Sequence, residues 1–533
     1  MNLLASILLT VTSTFYPQSA TWLEKAESMK PQLHHTTCVP VRMVTPEQDS
    51  NAFQGWKFVE ADITPQQIYQ RPLEQGQVFT FDFGRHMVGY LTINTKTLRR
   101  CQDAPIRLKL FMGELPAELN TPLEPWKAWL SRAWMQEETI NILQTDQAIT
   151  IPRRMAGRYL KVEVICTSMD FDCALSQVSF DAVSSAGEDL CAATTAHPLM
   201  DSIRTVSVET LRECMQTVYE DGPKRDQRLW AGDLYLQAMA NRYSFRNFEL
   251  TKRCLYLFAA LADEKGVIIS NIFEKPTPHP QIGSYMLTYA LIWNSTLLEY
   301  LIDTEDYETA NELWPVAKRQ IEDALTYVGE DYIFDINKRD VWIFFDWRDG
   351  LDVATPMQMA TIFALKQTYQ LATMIGKQAE VAQYPKIAAQ MTKAATKHMY
   401  DTKQGVFVSG PDKQVSVLSQ TWAIKAEVIK GKKAQKALTT VLANQQTVMP
   451  GTPYATHYLI EALIMAGMNE QAKNYLLDYW GGMVRKGADT FWEAYDPTND
   501  FISPYDFTPV NSACHAWSCT PVYFIGKYPQ IFK

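Results

Sequence analysis

Between about Trp22 and Phe180 apolar and polar positions alternate with period two. The runs are VFTFDFGRHMVGYLTINT (78–95), PIRLKLFMGEL (105–115), ETINIL (138–143), AITIPRRM (148–155), RYLKVEVIC (158–166) and LSQVSFDAVSS (175–185). Such runs, rich in Val, Ile, Thr, Tyr and Phe and broken by Gly, Pro and Asp, predict half-buried strands at sandwich-like spacing. One long interruption, PAELNTPLEPWKAWLSRAWMQEE (116–138), carries Trp126, Trp129 and Trp134. An insertion of that size usually serves a function or faces a neighbouring domain.

From about His197 the period becomes helical. In LTYALIWNSTLLEYLI (287–302) and MQMATIFALKQTYQLATMI (357–375) apolar residues recur at three and four. About twelve segments follow, beginning near Leu199, Ala231, Phe248, Ile282, Tyr307, Pro356, Gln378, Leu418, Lys433, Thr452, Glu470 and Ser512. Short loops alternate with longer ones rich in Gly, Pro, Asp and Trp. The expected architecture is multidomain α plus β: an N-terminal antiparallel β-sandwich (21–190) followed by an (α/α)6 toroid of six helical hairpins (191–533). No short exact repeat marks an ordinary solenoid.

Composition narrows the class. The 533 residues are 47% hydrophobic and 20% charged, which excludes a disordered chain. A net charge of −9 without a long basic run argues against nucleic acid as a partner. No window of about 18 apolar residues follows the N-terminus, so no membrane span is expected. Residues 1–20 resemble the hydrophobic part of a signal peptide, with Ser19 and Ala20 as small residues, but the first Lys is Lys25. The expected location is cytoplasmic if that segment is retained and periplasmic or secreted if it is removed. The nine cysteines are scattered, and neither CxxC nor Cys/His spacing occurs, so no structural metal is expected. Cys514 and His515 are adjacent, a poor geometry for chelating one metal.

Four interruptions of the helical pattern concentrate acidic and aromatic residues: EDGPKRDQRLWAGD (220–233), WIFFDWRD (342–349), GADTFWEAYD (487–496) and NSACHAW (511–517). A carbohydrate site needs flat apolar platforms for ring C–H faces and planar polar groups for hydroxyls, and hydrolysis adds two carboxyl groups. Trp230, Trp347, Trp492 and Trp517 are candidate platforms; Asp221, Asp226, Asp233, Asp346 and Glu493 are candidate carboxylates. Each alone has a plainer reading: an Asp beside Gly and Pro forms turns or caps helices, and a Trp at a helix start packs in a core. Four such loops in one helical domain favour the site.

Together, DGPKRDQRLWAGD, GADTFWE and SACHAW resemble the motifs of the bacterial α-L-rhamnosidases, glycoside hydrolase family 78, in the family's order. The resemblance covers the helical half, and the β-rich half is similar to the sandwich preceding the family's barrel. It implies inverting hydrolysis of terminal α-L-rhamnosides without a cofactor. It places sugar-binding roles on Asp221, Arg225 and Asp233, an aromatic wall on Trp230 and Trp347, the general base on Glu493, and a sugar-contacting histidine at His515.

This sequence departs from the pattern where the family has its general-acid glutamate: Gln227 stands there, and the loop is one residue shorter between Arg228 and Trp230. An amide delivers no proton. Three readings follow: a displaced acid, with Asp226 or Asp233 foremost and Glu220 near; substrates whose leaving groups need little acid; or a protein that binds glycan, Gln227 included, without cleaving it. A polysaccharide lyase or uronyl hydrolase on the same toroid is a further alternative, with Tyr495, Tyr505 or His515 as base. The family commonly carries another β-sandwich after its barrel, whereas this sequence stops at Lys533. The Trp126–Trp134 insertion is therefore expected to cover the barrel mouth or to pack between domains.

Overall fold

The computed structural model describes residues 15–338 and 341–533. Most of the segment read as a signal peptide, up to residue 14, lies outside the described residues. The helix Ser19–Ser28 buries Trp22 and Ala26 against the helix Phe248–Ala260, and the Trp22 indole donates to Glu312 at 2.9 Å. A piece of the helical half thus precedes the strands.

The β-rich half is an antiparallel sandwich organised by one long strand, Val78–Arg99. Its first part pairs with Arg42–Gln48 and Met155–Cys166; its second part pairs with Asp172–Ser184 and Ala148–Thr150. A bulge between Asp82 and Met87, with Gly84 at φ +83°, interrupts the pairing with Met155–Cys166, which resumes at Met87. The alternating positions Phe81, Leu91, Ile93, Leu108, Leu110, Val162, Leu175 and Val178 meet in the core between the layers.

Among the described residues from 198 onward, twelve α-helices have seven or more residues, from Pro198–Cys214 to Pro521–Lys527. Ala231–Arg242, Leu287–Thr304, Ala354–Met374, Val417–Lys425 and Pro453–Met465 are buried nearly all round. Each packs on the next, and the turn Ala516–Ser518 with Pro521–Lys527 joins the last to the first, closing an inner ring. The intervening Tyr307–Leu325, Tyr384–His398, Gly431–Ala443 and Asn469–Arg485 bury one stripe and form the outer ring. Three starts differ from the periodicity: near Gln378 a 3-10 turn, Gln378–Val381, comes first and the helix begins at Tyr384. The helix expected near Ile282 begins at Leu287, because His279–Pro280 pairs with Asn271–Phe273. The helix expected near Ser512 begins at Pro521, because the backbone N–H groups of His515 and Ala516 donate to Phe491 and Asp221 carbonyls at 2.8 and 2.7 Å.

Buried charges fasten the sandwich to the ring. Glu114, from the sandwich, accepts from the Ala513 N–H at 2.7 Å and pairs with Lys224 at 2.9 Å and His86 at 3.2 Å. Glu118 adds a second carboxylate 3.3 Å from Lys224. Arg154 grips both oxygens of Glu220 at 2.9 and 2.7 Å. Asp489 accepts from the His86 N–H at 3.1 Å and lies 3.3 Å from Arg158. Burial opposes the charge on Glu114, but the cations Lys224 and His86 hold its carboxyl well below the usual range. Removing one partner strands the others. Glu114→Ala is therefore expected to lower the unfolding free energy by about 3–5 kcal/mol, read from chemical denaturation, whereas an unchanged midpoint would contradict this role.

Candidate active site

The N-terminal ends of inner-ring helices surround a cavity walled by acidic and aromatic side chains. Trp230 and Met286 precede the helices Ala231–Arg242 and Leu287–Thr304, and both line it. Asp233 lies in the first turn of its helix, where the helix dipole favours an acidic group.

The loop from Asp221 is folded on its own aspartate. Asp221 accepts from the Asp226 and Arg228 N–H groups, each at 3.1 Å. Burial, with the neighbouring charge of Asp226, pushes its carboxyl up to about 8. Gly222 has no substitute here: a Cβ would lie 2.5 Å from the Arg225 carbonyl oxygen and 2.8 Å from Ser512 Oγ. The turn aims Arg225 inward. Its Nε donates to the Val510 carbonyl at 2.7 Å, Nη1 to the Tyr505 hydroxyl at 3.2 Å and Nη2 to Glu493 Oε2. Its guanidinium stacks 4.2 Å over the Tyr505 ring. Asp226, half-buried, stands 3.6 Å from Nη1.

Glu493 is buried against that guanidinium. Oε1 accepts from the Tyr505 hydroxyl, and Oε2 accepts from Arg225 and from the Ser512 N–H at 3.3 Å. Burial alone would raise its pKa, but the Arg225 charge, reinforced by His515 and the Tyr505 bond, holds it below the ordinary glutamate value. Glu493 is therefore ionised at neutral pH. His515 Nε2 lies 3.3 Å from Asp233 Oδ1, and despite burial this carboxylate and Glu493 raise the imidazole pKa. Burial raises that of Asp233.

Several buried polar atoms on this wall have no hydrogen-bond partner within the protein: the indole N–H of Trp230 and of Trp347, and Nδ1 of His515. Leaving each unmet costs about 1–3 kcal/mol. A ligand carrying several hydroxyls would satisfy them together. Apolar surface comes from Met286, Tyr289, Phe344 and Trp517.

The cavity thus brings together Asp221, Arg225, Asp226, Trp230, Asp233, Trp347, Glu493, His515 and Trp517. Three other candidates face elsewhere. Asp346 accepts from the Gly451 N–H and the Thr452 hydroxyl, both at 2.6 Å, tying the 342–349 loop to the start of Pro453–Met465. Trp492 stacks on Phe53 of the sandwich at 4.1 Å. Gln227 has left-handed backbone (φ 60°), and its amide donates to the Pro223 carbonyl at 2.8 Å. Glu220 is occupied by Arg154, and Tyr495 packs edge-on against Trp492 and Tyr479. Sequence reasoning missed Met286 and Tyr289, which read as ordinary apolar positions of a helix, and the pairing of Tyr505 with Glu493. Among the described residues no three His, Cys, Asp or Glu side chains are placed to hold one metal ion. Nor is any helix among them long and apolar enough to cross a membrane.

The family model of the bacterial alpha-L-rhamnosidase 6 hairpin glycosidase domain matches residues 188–528, and that of the glycosyl hydrolase family 78 alpha-rhamnosidase N-terminal domain matches 40–182. The structure is similar to a rhamnosidase from Klebsiella oxytoca with rhamnose bound, at 38% identity and a TM-score of 0.92, over 96% of this chain and 99% of that one. It also resembles the family 78 rhamnosidase of Bacillus sp. GL1, at 20% identity and a TM-score of 0.72 over 88% of this chain and 49% of that one. The α-L-rhamnosidase of Streptomyces avermitilis, complexed with L-rhamnose, shares the fold at 16% identity and a TM-score of 0.65 over 93% and 44%. This chain spans about half the length of those last two. A search of curated proteins found no match.

The Asp346 contacts generate a test. Asp346→Ala leaves the Gly451 N–H and the Thr452 hydroxyl without their acceptor in a buried setting. A loss of about 2–3 kcal/mol in stability is expected from thermal or urea unfolding; no loss would contradict the tie.

Proposed function

The chain belongs to the bacterial α-L-rhamnosidases of glycoside hydrolase family 78, and from that premise we propose that it releases a terminal α-linked L-rhamnose by inverting hydrolysis, with Glu493 as general base and Asp226 as general acid. The observation that carries this reading is the arrangement of both carboxyl groups on one guanidinium in the wall of one cavity.

In this mechanism Glu493, ionised by Arg225 and its other donors, takes a proton from water as the water oxygen attacks the anomeric carbon. Asp226 gives its proton to the glycosidic oxygen as the bond to the leaving group breaks. Asp226 fits the acid role better than Asp233. Asp226 is half-buried, whereas Asp233 is enclosed beside His515. Gln227 cannot replace either, since its amide carries no acidic proton and is bound to Pro223. The unpartnered indole N–H groups of Trp230 and Trp347 and Nδ1 of His515 are the natural partners of sugar hydroxyls, and the Met286, Tyr289 and Phe344 surface suits the methyl group of a 6-deoxy sugar. A lyase base at Tyr505 is disfavoured, because burial, together with the adjacent Glu493 carboxylate, keeps that phenol protonated.

Rhamnose release from 4-nitrophenyl α-L-rhamnoside and from a rhamnosyl disaccharide tests the assignment. Glu493→Gln is expected to abolish both. Asp226→Asn is expected to lose about 10²–10⁴ in rate on the disaccharide and much less on the aryl glycoside, whose leaving group needs little protonation. Full activity of Asp226→Asn on the disaccharide, with loss in Asp233→Asn, would move the acid to Asp233.

A further inference from the structure

Asp226 also lines a second cavity, between the sandwich and the ring. Gln227 and Glu220 share this wall. The sandwich contributes Tyr90, Trp134 and Arg154, and the ring contributes Phe273. Arg154 has its Nη2 committed to Glu220, while its Nε is buried without a partner. Phe273 is fixed between the Arg228 guanidinium, 4.3 Å from its centroid, and the His279 ring stacked on it at 5.0 Å, so it offers the cavity its edge. Trp134 belongs to the tryptophan-rich insertion, whose other end reaches the first cavity: Trp129 donates to the Pro504 carbonyl at 3.1 Å and packs on Tyr505 at 5.3 Å. The insertion therefore runs along both cavities.

We propose that this second cavity is the leaving-group subsite and that it takes the next sugar ring of a rhamnosyl oligosaccharide or glycoside. This rests on Asp226 as the acid. An acid must touch the glycosidic oxygen, so the group departing with that oxygen lies on the acid's side of the cleaved bond. Asp226 faces both cavities; with rhamnose in the first, the leaving group enters the second. Its walls pair aromatic surface at Tyr90 and Trp134 and the Phe273 edge with planar polar groups at Arg154 and Gln227, the combination that receives C–H faces and hydroxyls of a sugar. The acids Glu220 and Glu274 beside Arg154 and Lys275 leave no excess of cation for an acidic sugar, which points to a neutral ring. In this protein the sandwich would supply selectivity for the leaving group.

The test compares two substrates. α-L-Rhamnosyl fluoride has no ring in its leaving group; an α-L-rhamnosyl-glucose disaccharide does. In Trp134→Ala the ratio of kcat/KM for the disaccharide to that for the fluoride is expected to fall about tenfold relative to wild type, mainly through KM. Phe273→Ala, on the other domain, is expected to lower the ratio in the same direction. A ratio unchanged in both variants overturns the proposal, and so does an equal loss on both substrates, which would place the effect in the rhamnose cavity or in folding. Failure of the rhamnosidase reading shows separately, as absence of fluoride turnover by the wild type. The subsite is then judged by calorimetric titration of the disaccharide and of free rhamnose. A disaccharide affinity that Trp134→Ala leaves equal to wild type overturns the proposal, and one that it weakens selectively supports it.

Discussion

A guanidinium taken out of water must find acceptors, and Arg225 finds them in three different parts of the chain. The Val510 carbonyl, the Tyr505 hydroxyl and the Glu493 carboxylate all lie some 270 to 285 residues along the sequence from it. Breaking such a buried pair costs several kcal/mol, so the loops carrying these groups cannot drift apart cheaply. The same contact fixes the protonation of Glu493 and draws Asp226 alongside. Positioning and electrostatics are here one interaction.

The ring alone does not hold that interaction in place. Lys224, next to Arg225, and Ala513, close to His515, are both fastened to Glu114 of the sandwich. Asp489, four residues before Glu493, is fastened to His86 and Arg158. Trp492 adds an aromatic stack across the same boundary. The sandwich is thus a clamp on three of the four chemistry-bearing loops, and the fourth, 342–349, is clamped within the ring by Asp346.

Much of the architecture is legible in the sequence because burial imposes its period on it. Strand residues such as Phe81, Leu91 and Val162 recur at two, and most of the helix starts lie within a few residues of where the helical period begins. Starts are misread where a contact distant in sequence decides them, as with Asn271–Phe273 before Leu287 or Asp221 beside Ala516. The candidate site was legible as loops and less so as side chains. Asp346 and Trp492 have the right chemistry in the right loops, yet one holds a helix start and the other a domain boundary, since side-chain direction depends on partners far along the chain. Met286 and Tyr289 carry no local signal, because an apolar residue facing a cavity and one facing a core look alike in sequence. Gln227 was legible by identity alone: an amide there removes one proton donor, while its bond to the Pro223 carbonyl shows only in the fold.

The account stands on water being activated at Glu493, across the sugar from Asp226. The anomer first released reports on that arrangement directly. Proton NMR during the early hydrolysis of 4-nitrophenyl α-L-rhamnoside should show β-L-rhamnose appearing first, with the α form growing only by mutarotation. Initial release of α-L-rhamnose would mean a covalent intermediate on one carboxylate, and the roles assigned to Glu493 and Asp226 would be wrong.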